Sequence, residues 1–227
     1  MKLCIALDMP NKKDNLTLLS NLKTSQEIWV KVGLRSFIRD GKEFLEQIKT
    51  INPFKIFLDL KLYDIPNTMG DSIDEIAKLG VDMITIHASS GREAMCEVTK
   101  RLQKVQNPPL VMAVTVLTSF QQESFFEIYH SNLETQVLEF AKMAYESGIN
   151  GVVCSCLESR VIKEKINSHF LTLTPAIRPF GEDNGDQKRT ATLQDAKAAM
   201  SDFIVVGRPI YKASNPQEVI DKILQAL

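Results

Sequence analysis

Eight short apolar runs punctuate the chain at nearly regular intervals, and no other feature limits its fold so tightly. They are LCIALD (3–8), IWVKVG (28–33), KIFLDLK (55–61), VDMITIHA (81–88), PLVMAVTVL (109–117), NGVVCS (150–155), FLTLTPAI (170–177) and DFIVVG (202–207). Short, bounded runs rich in β-branched residues read as buried parallel strands. Helical patterns fill most of the gaps, EFLEQIKTI, SIDEIAKLG, VLEFAKMAYESG and LQDAKAAMS among them. Gly80 and Gly148 close two of these patterns, where a residue in left-handed backbone commonly ends a helix. Successive runs begin roughly 20–40 residues apart, the length of a strand plus its crossover helix. Eight such units in 227 residues predict an α/β chain closed into a (β/α)8 TIM barrel, a single domain over residues 1–227. A doubly wound open sheet shares the alternation and stands as the structural alternative.

Charge and cysteine content narrow the function. With 27 basic and 28 acidic residues the formal net charge is -1, so neither nucleic acid nor a membrane surface is implied as a partner. No run reaches the ~20 apolar residues of a membrane span. The opening MKLCIALDMP turns acidic at Asp8 before a signal-peptide apolar core could develop, so a cytoplasmic location is expected. Four cysteines are too few for a disulfide framework. Cys154 and Cys156 would share one strand face, but no second Cys or His pair lies near enough in sequence to complete a tetrahedral site. Packed thiols and no metal are the expectation.

Polar residues gather at the carboxyl ends of the runs: Asp8, Lys31, Asp59, Lys61, His87 and Thr115, with Arg178 and Arg208 just past the last two. A barrel builds its active site on that rim. Residues two apart on a strand face the same way, which sets Phe57, Asp59 and Lys61 against Leu58 and Leu60. Lys31 ends the neighbouring strand and Asp64 follows three residues after Lys61. The expected result is an array of alternating sign, Lys31–Asp59–Lys61–Asp64. A structural ion-pair network is the competing reading, although buried ion pairs stabilise weakly compared with apolar packing. Flanking carboxylates favour an ammonium. That suits a general acid delivering a proton to carbon, and suits Schiff-base chemistry poorly. The ammonium would also compete with a divalent metal for the same oxygens.

The second constellation is TPAIRPFGEDNGDQKRTAT (174–192), with Gly181 and Gly185 in a polar loop bracketed by Arg178 and Gln187. Gly207 and Arg208 close the last run. Loops seven and eight of such barrels commonly hold phosphate through glycine amides, a helix start and a cation. A solvated surface loop is the plainer alternative. His87 reads as a hydrogen-bonded core-edge imidazole. Asp8 could accept from sugar hydroxyls or cap a helix, and Thr118 and Ser119 could meet a ligand or cap a turn.

These residues carry a resemblance that runs the whole chain. Asp59-x-Lys61-x-x-Asp64-Ile65-Pro66-Asn67-Thr68 resembles the signature of the orotidine 5′-phosphate decarboxylase family. ALD at 6–8, VKVG at 30–33, LTS at 117–119, the TPAIRP…GDQ…R segment and VVGRPI follow in the same order. The resemblance implies cofactor-free decarboxylation of orotidine 5′-monophosphate to UMP, the last step of de novo UMP biosynthesis. It implies that Lys61 protonates C6, that Asp59 faces the substrate carboxylate, and that Lys31 and Asp8 engage ribose hydroxyls. Thr118 would meet the pyrimidine edge, Pro175 would contact the substrate, and Arg178, Gln187, Gly207 and Arg208 would hold the 5′-phosphate. Asp64, Ile65 and Thr68 would reach the partner's site in a homodimer. Two alternatives remain: a magnesium-dependent sugar-phosphate decarboxylase or synthase sharing the DxKxxD core, and a non-catalytic nucleotide sensor.

Overall fold

The computed structural model describes residues 1–181 and 189–227. Each of the eight runs overlaps a strand: β1 (Lys2–Ala6), β2 (Trp29–Gly33), β3 (Lys55–Leu62), β4 (Met83–His87), β5 (Leu110–Val114), β6 (Gly151–Val153), β7 (Leu171–Thr174) and β8 (Phe203–Val206). Helices α1 (Lys12–Asn21), α2 (Leu34–Ile51), α3 (Pro66–Lys78) and α4 (Arg92–Leu102) follow the first four strands. Then come α5 (Gln122–Tyr129), α6 (Leu133–Glu146), α7 (Cys156–Lys165), α8 (Leu193–Ala198), α9 (Arg208–Tyr211) and α10 (Pro216–Ala226). All neighbouring strands are parallel in the order β1 to β8, and β8 returns to β1 with Lys2 opposite Phe203. That last pairing decides for the closed barrel over the open sheet.

Local chemistry sets the helix ends as expected. Gly80 and Gly148 take φ of 60° and 77°, so each chain reversal before the next strand uses the left-handed backbone that glycine adopts without a Cβ clash. Ser155 caps α7 with Glu158 in a reciprocal capping box, and Thr192 does the same for α8 with Asp195.

The period-2 pattern of the strands sorts the core into two layers. Leu3, Ile5, Val30, Val32, Ile56, Leu58, Ile84 and Ile86 face outward and pack under the helices. Trp29, Phe57, Met83, Met112, Leu173 and Phe203 fill the barrel interior. Trp29 and Phe203 meet edge to face with ring centroids 5.2 Å apart. Among the described residues no helix is long and apolar enough to cross a membrane.

Candidate active site

The alternation that buries the interior plug also raises the charged residues to its rim. Two residues beyond Trp29, Phe57 and Met83 along their strands come Lys31, Asp59 and Thr85. They form the next inward layer, at the carboxyl ends of β2, β3 and β4. Asp8 lies two residues past β1, and α2 holds its backbone in place. Ser36 Oγ donates to the Leu7 carbonyl at 2.6 Å, and Arg35 Nη1 to the Asp8 carbonyl at 3.4 Å. The first cap of α1 is Asn11, so Asp8 is not a helix cap.

These side chains form a chain of alternating charge. Lys31 Nζ lies 3.2 Å from both Asp8 carboxylate oxygens and 3.7 Å from Asp59 Oδ2. Lys61 Nζ donates to Asp59 Oδ1 at 2.8 Å. Burial alone would drive Lys31 and Asp59 toward their neutral forms. The facing charges outweigh it. Lys31 is held above the usual lysine value by Asp8 and Asp59, and Asp59 below the usual carboxylate range by Lys31, Lys61 and Thr85. Gly33 leaves room for the pair, because a Cβ there would stand 2.9 Å from Lys31 Nζ and 3.3 Å from Asp8 Oδ1.

The array differs from the expected one in its membership. Within one chain its order is Asp8–Lys31–Asp59–Lys61, and Lys31 is the ammonium set between two carboxylates. Asp64 is exposed, and its Oδ1 accepts the Ile65 N–H at 2.7 Å. The reason is the turn into α3. Pro66 occupies the first turn of that helix, where its missing N–H costs nothing, and the carboxylate ahead of it is left on the solvent side. Ile65 (66% exposed) and Thr68 are likewise exposed and do not line their own chain's cavity.

Lys61 also departs from simple strand geometry. Its φ is 52°, a left-handed value that costs an L-residue on the order of 1 kcal/mol, and such strain concentrates at functional sites. It lies where the β3–β4 register shifts between Leu58 and Leu62.

The array opens into a cavity of about 320 Å³. Thr118, Pro175, Arg178, Gly207 and Arg208 line that same cavity, so strand ends distant in sequence converge on it. Val114, Val153, Leu173 and Val205 give it an apolar wall. Arg178 is buried, with Nη1 donating to the Ile177 carbonyl at 3.2 Å. Ile177 pairs with Ala191 in a parallel bridge, and the Arg178 N–H donates to the Ala191 carbonyl at 2.8 Å. Gln187 lies outside the described residues.

Other rim residues have structural partners. His87 Nδ1 lies 2.8 Å from Ser89 Oγ, and burial with the nearby Lys61 charge keeps the imidazole below its usual value. The Thr115 N–H and Oγ1 both donate to the Val153 carbonyl of β6, at 3.1 and 3.2 Å, so its partner is the sheet. Cys154 and Cys156 do not share a strand face as expected. β6 ends at Val153 and α7 begins at Cys156, so Ser155 separates them as the helix cap. Both thiols are buried, which raises Cys156 to about 11 and Cys154 well above its ordinary value. Among the described residues no three His, Cys, Asp or Glu side chains gather as a metal site would require.

Thr85, Tyr211 and Glu158 escaped the sequence reading, and Arg189, the arginine that closes the TPAIRP…GDQ…R segment, was given no role there. Tyr211 reaches the cavity from α9. Arg189 pairs with buried Glu158 and donates to the Val116 and Leu117 carbonyls at 3.4 and 3.3 Å, bracing the backbone just before Thr118. The Ser155-x-x-Glu158 capping pattern could have located Glu158, but its pairing with Arg189 joins segments 31 residues apart.

Residues 1–223 match the family described as orotidine 5'-phosphate decarboxylase / HUMPS. The chain is 63% identical to an orotidine 5'-phosphate decarboxylase of a Nitratiruptor species, covering all of both chains. It is 57% identical to one from Campylobacter jejuni, again over the full length of each. A solved orotidine 5'-phosphate decarboxylase from Lactobacillus acidophilus superposes with a TM-score of 0.86 at 35% identity, over 99% of this chain and 98% of that one. The chain belongs to the orotidine 5'-phosphate decarboxylase / HUMPS family, and within it is a carboxy-lyase.

Proposed function

We propose that this chain decarboxylates orotidine 5′-monophosphate to UMP and carbon dioxide with its own side chains, Lys61 supplying the proton to C6. The observation that carries the reading is the Lys61–Asp59 contact of 2.8 Å in the cavity that Arg178 and Arg208 also line. As the C6–carboxylate bond breaks, its electron pair stays on C6, and a proton moves from Lys61 Nζ to that carbon. The ring offers no adjacent carbonyl to delocalise the pair. An ammonium already fixed beside it stabilises charge where it develops, without reorganisation. Asp59 holds that ammonium and would face the departing carboxylate. Lys31 and Asp8 would take the ribose hydroxyls, and Thr118 and Pro175 the pyrimidine.

The magnesium-dependent alternative asks Asp59 to give up existing partners. Its Oδ1 already receives Lys61 and Thr85, and Lys31 stands 3.7 Å from Oδ2. A divalent ion would have to displace an ammonium.

A positioned acid contributes typically 10²–10⁴-fold, or about 3–5 kcal/mol. The remainder must come from binding energy realised away from the reacting carbon. Arg178, Gln187, Gly207 and Arg208 are its proposed source, through the 5′-phosphate. The test compares Arg208→Ala on the nucleotide and on the phosphate-free nucleoside. kcat/KM should fall far more for the nucleotide; equal losses on both would remove Arg208 from the phosphate site.

The homodimer is also part of the proposal. Asp64, Ile65 and Thr68 are exposed beside Tyr63 (63% exposed), and Leu34 and Ile38 are exposed after the neighbouring strand β2. Exposed apolar side chains of this size beyond the carboxyl ends of β2 and β3 suit a partner that receives Asp64 at its own site. The whole chain, 1–227, acts as one barrel domain, and its four free thiols fit a cytoplasmic setting.

A further inference from the structure

Strand β3 loses regular pairing with β4 where it delivers Lys61. Leu58 stands opposite Ile84 and Leu62 opposite Ile86, so residues 59–61 share the space of Thr85 alone. A bulge of this kind leaves backbone groups without their ladder partners. Thr85 is fully buried and supplies the missing partner from its side chain. Its Oγ1 accepts the Lys61 N–H at 2.9 Å and donates to Asp59 Oδ1 at 2.9 Å. Asp59 Oδ1 also receives Lys61 Nζ, at 2.8 Å. The three residues therefore close a ring in which one hydroxyl fixes both ends of Lys61. It holds the backbone at φ 52° directly, and the ammonium through its counter-ion.

We propose that Thr85 is a positioning residue for the reaction, setting the direction of the Lys61 Nζ–H bond without itself touching substrate. A threonine hydroxyl has one proton and two lone pairs, and both roles are engaged here. Among the cavity-lining residues Thr85 is absent, which separates it from the groups that would meet the ligand. Valine has nearly the same shape and neither role. It would leave a buried N–H unpaired and remove one donor from Asp59. Lys61 would then keep its counter-ion but lose its fixed direction.

This inference rests on Lys61 as the proton donor proposed above. The experiment measures kcat and KM for orotidine 5′-monophosphate, the Kd for UMP and the Tm of wild type, Thr85→Val and Thr85→Ser. Thr85→Val should lower kcat by about 10- to 100-fold, the cost of a small misplacement at a reacting group, while UMP affinity stays at the wild-type value. Thr85→Ser, which restores the hydroxyl, should recover most of the lost kcat. A folded Thr85→Val with wild-type kcat would overturn the proposal. So would equal losses in kcat and UMP affinity, or a folded serine variant no better than valine. Where the valine variant does not fold, serine against alanine isolates the single oxygen. Serine should exceed alanine in kcat at equal UMP affinity, and equal kcat would again refute the role. A wild type that fails to turn over orotidine 5′-monophosphate overturns the functional reading and this inference with it. An active wild type indistinguishable from Thr85→Val overturns this inference alone.

Discussion

Lys61→Ala is expected to lose nearly all turnover of orotidine 5′-monophosphate while still binding a 6-substituted UMP analogue measurably. The loss should reach at least the 10²–10⁴-fold attributable to a positioned acid. Removing the ammonium also takes away the fixed charge facing the carbanion, so the upper part of that range or beyond is expected. Binding should survive because the proposed phosphate and ribose contacts lie elsewhere, on Arg178, Arg208, Lys31 and Asp8. Folding should survive too. Asp59 is buried at 8% exposure, yet it would keep Thr85 at 2.9 Å and Lys31 at 3.7 Å, so the change does not strand an unpaired carboxylate. Single-turnover kinetics together with analogue titration separate the two effects. Turnover retained by a folded Lys61→Ala would remove Lys61 from the chemistry.

The second large effect concerns Asp64. Asp64→Ala alone should be severely impaired, although the residue is exposed and touches nothing in its own array. The informative experiment mixes Lys61→Ala with Asp64→Ala subunits. After random exchange about half the dimers are mixed, and each mixed dimer holds one site with an intact Lys61 and an intact partner Asp64. About a quarter of wild-type activity should return, from two proteins that are each nearly inactive. Confirmed subunit exchange with no recovery would place Asp64 in the same chain's site, or outside the chemistry.

How much of this was readable from sequence depended on how local each determinant is. The eight strands were legible because their determinants lie within each run. The closure of the barrel followed from the count of eight units, and the pairing that establishes it over the open sheet, Lys2 with Phe203, joins the two ends of the sequence. Lys31 and Asp59 could be placed by period-2 alternation, since β2 and β3 are regular up to those residues. Beyond Asp59 the rule weakens. A register shift and a left-handed residue carry Lys61 into position, and no propensity announces a bulge at a lysine. Thr85 was invisible for the opposite reason: a threonine in a strand is ordinary, and only its two partners distinguish it. Asp64 does not flank Lys61 within one chain because the proline-started helix α3 redirects the turn that follows, which counting along the chain does not reveal. Cys154 and Cys156 stand on either side of the cap of α7, a strand-to-helix change that the apolar pattern alone does not mark. Arg178 and Arg208 could be placed at the cavity because they follow the last two strands, whose ends open on the same rim.

The most direct test of the account follows the ultraviolet spectrum of orotidine 5′-monophosphate mixed with the purified protein, with and without EDTA. The array of Asp8, Lys31, Asp59 and Lys61 predicts rapid loss of the substrate spectrum at a rate that the chelator does not change. An unchanged spectrum while UMP still binds would make the chain a nucleotide sensor. Turnover of sugar phosphates alone, abolished by EDTA, would instead hand the site to metal chemistry and contradict the role assigned to Lys61.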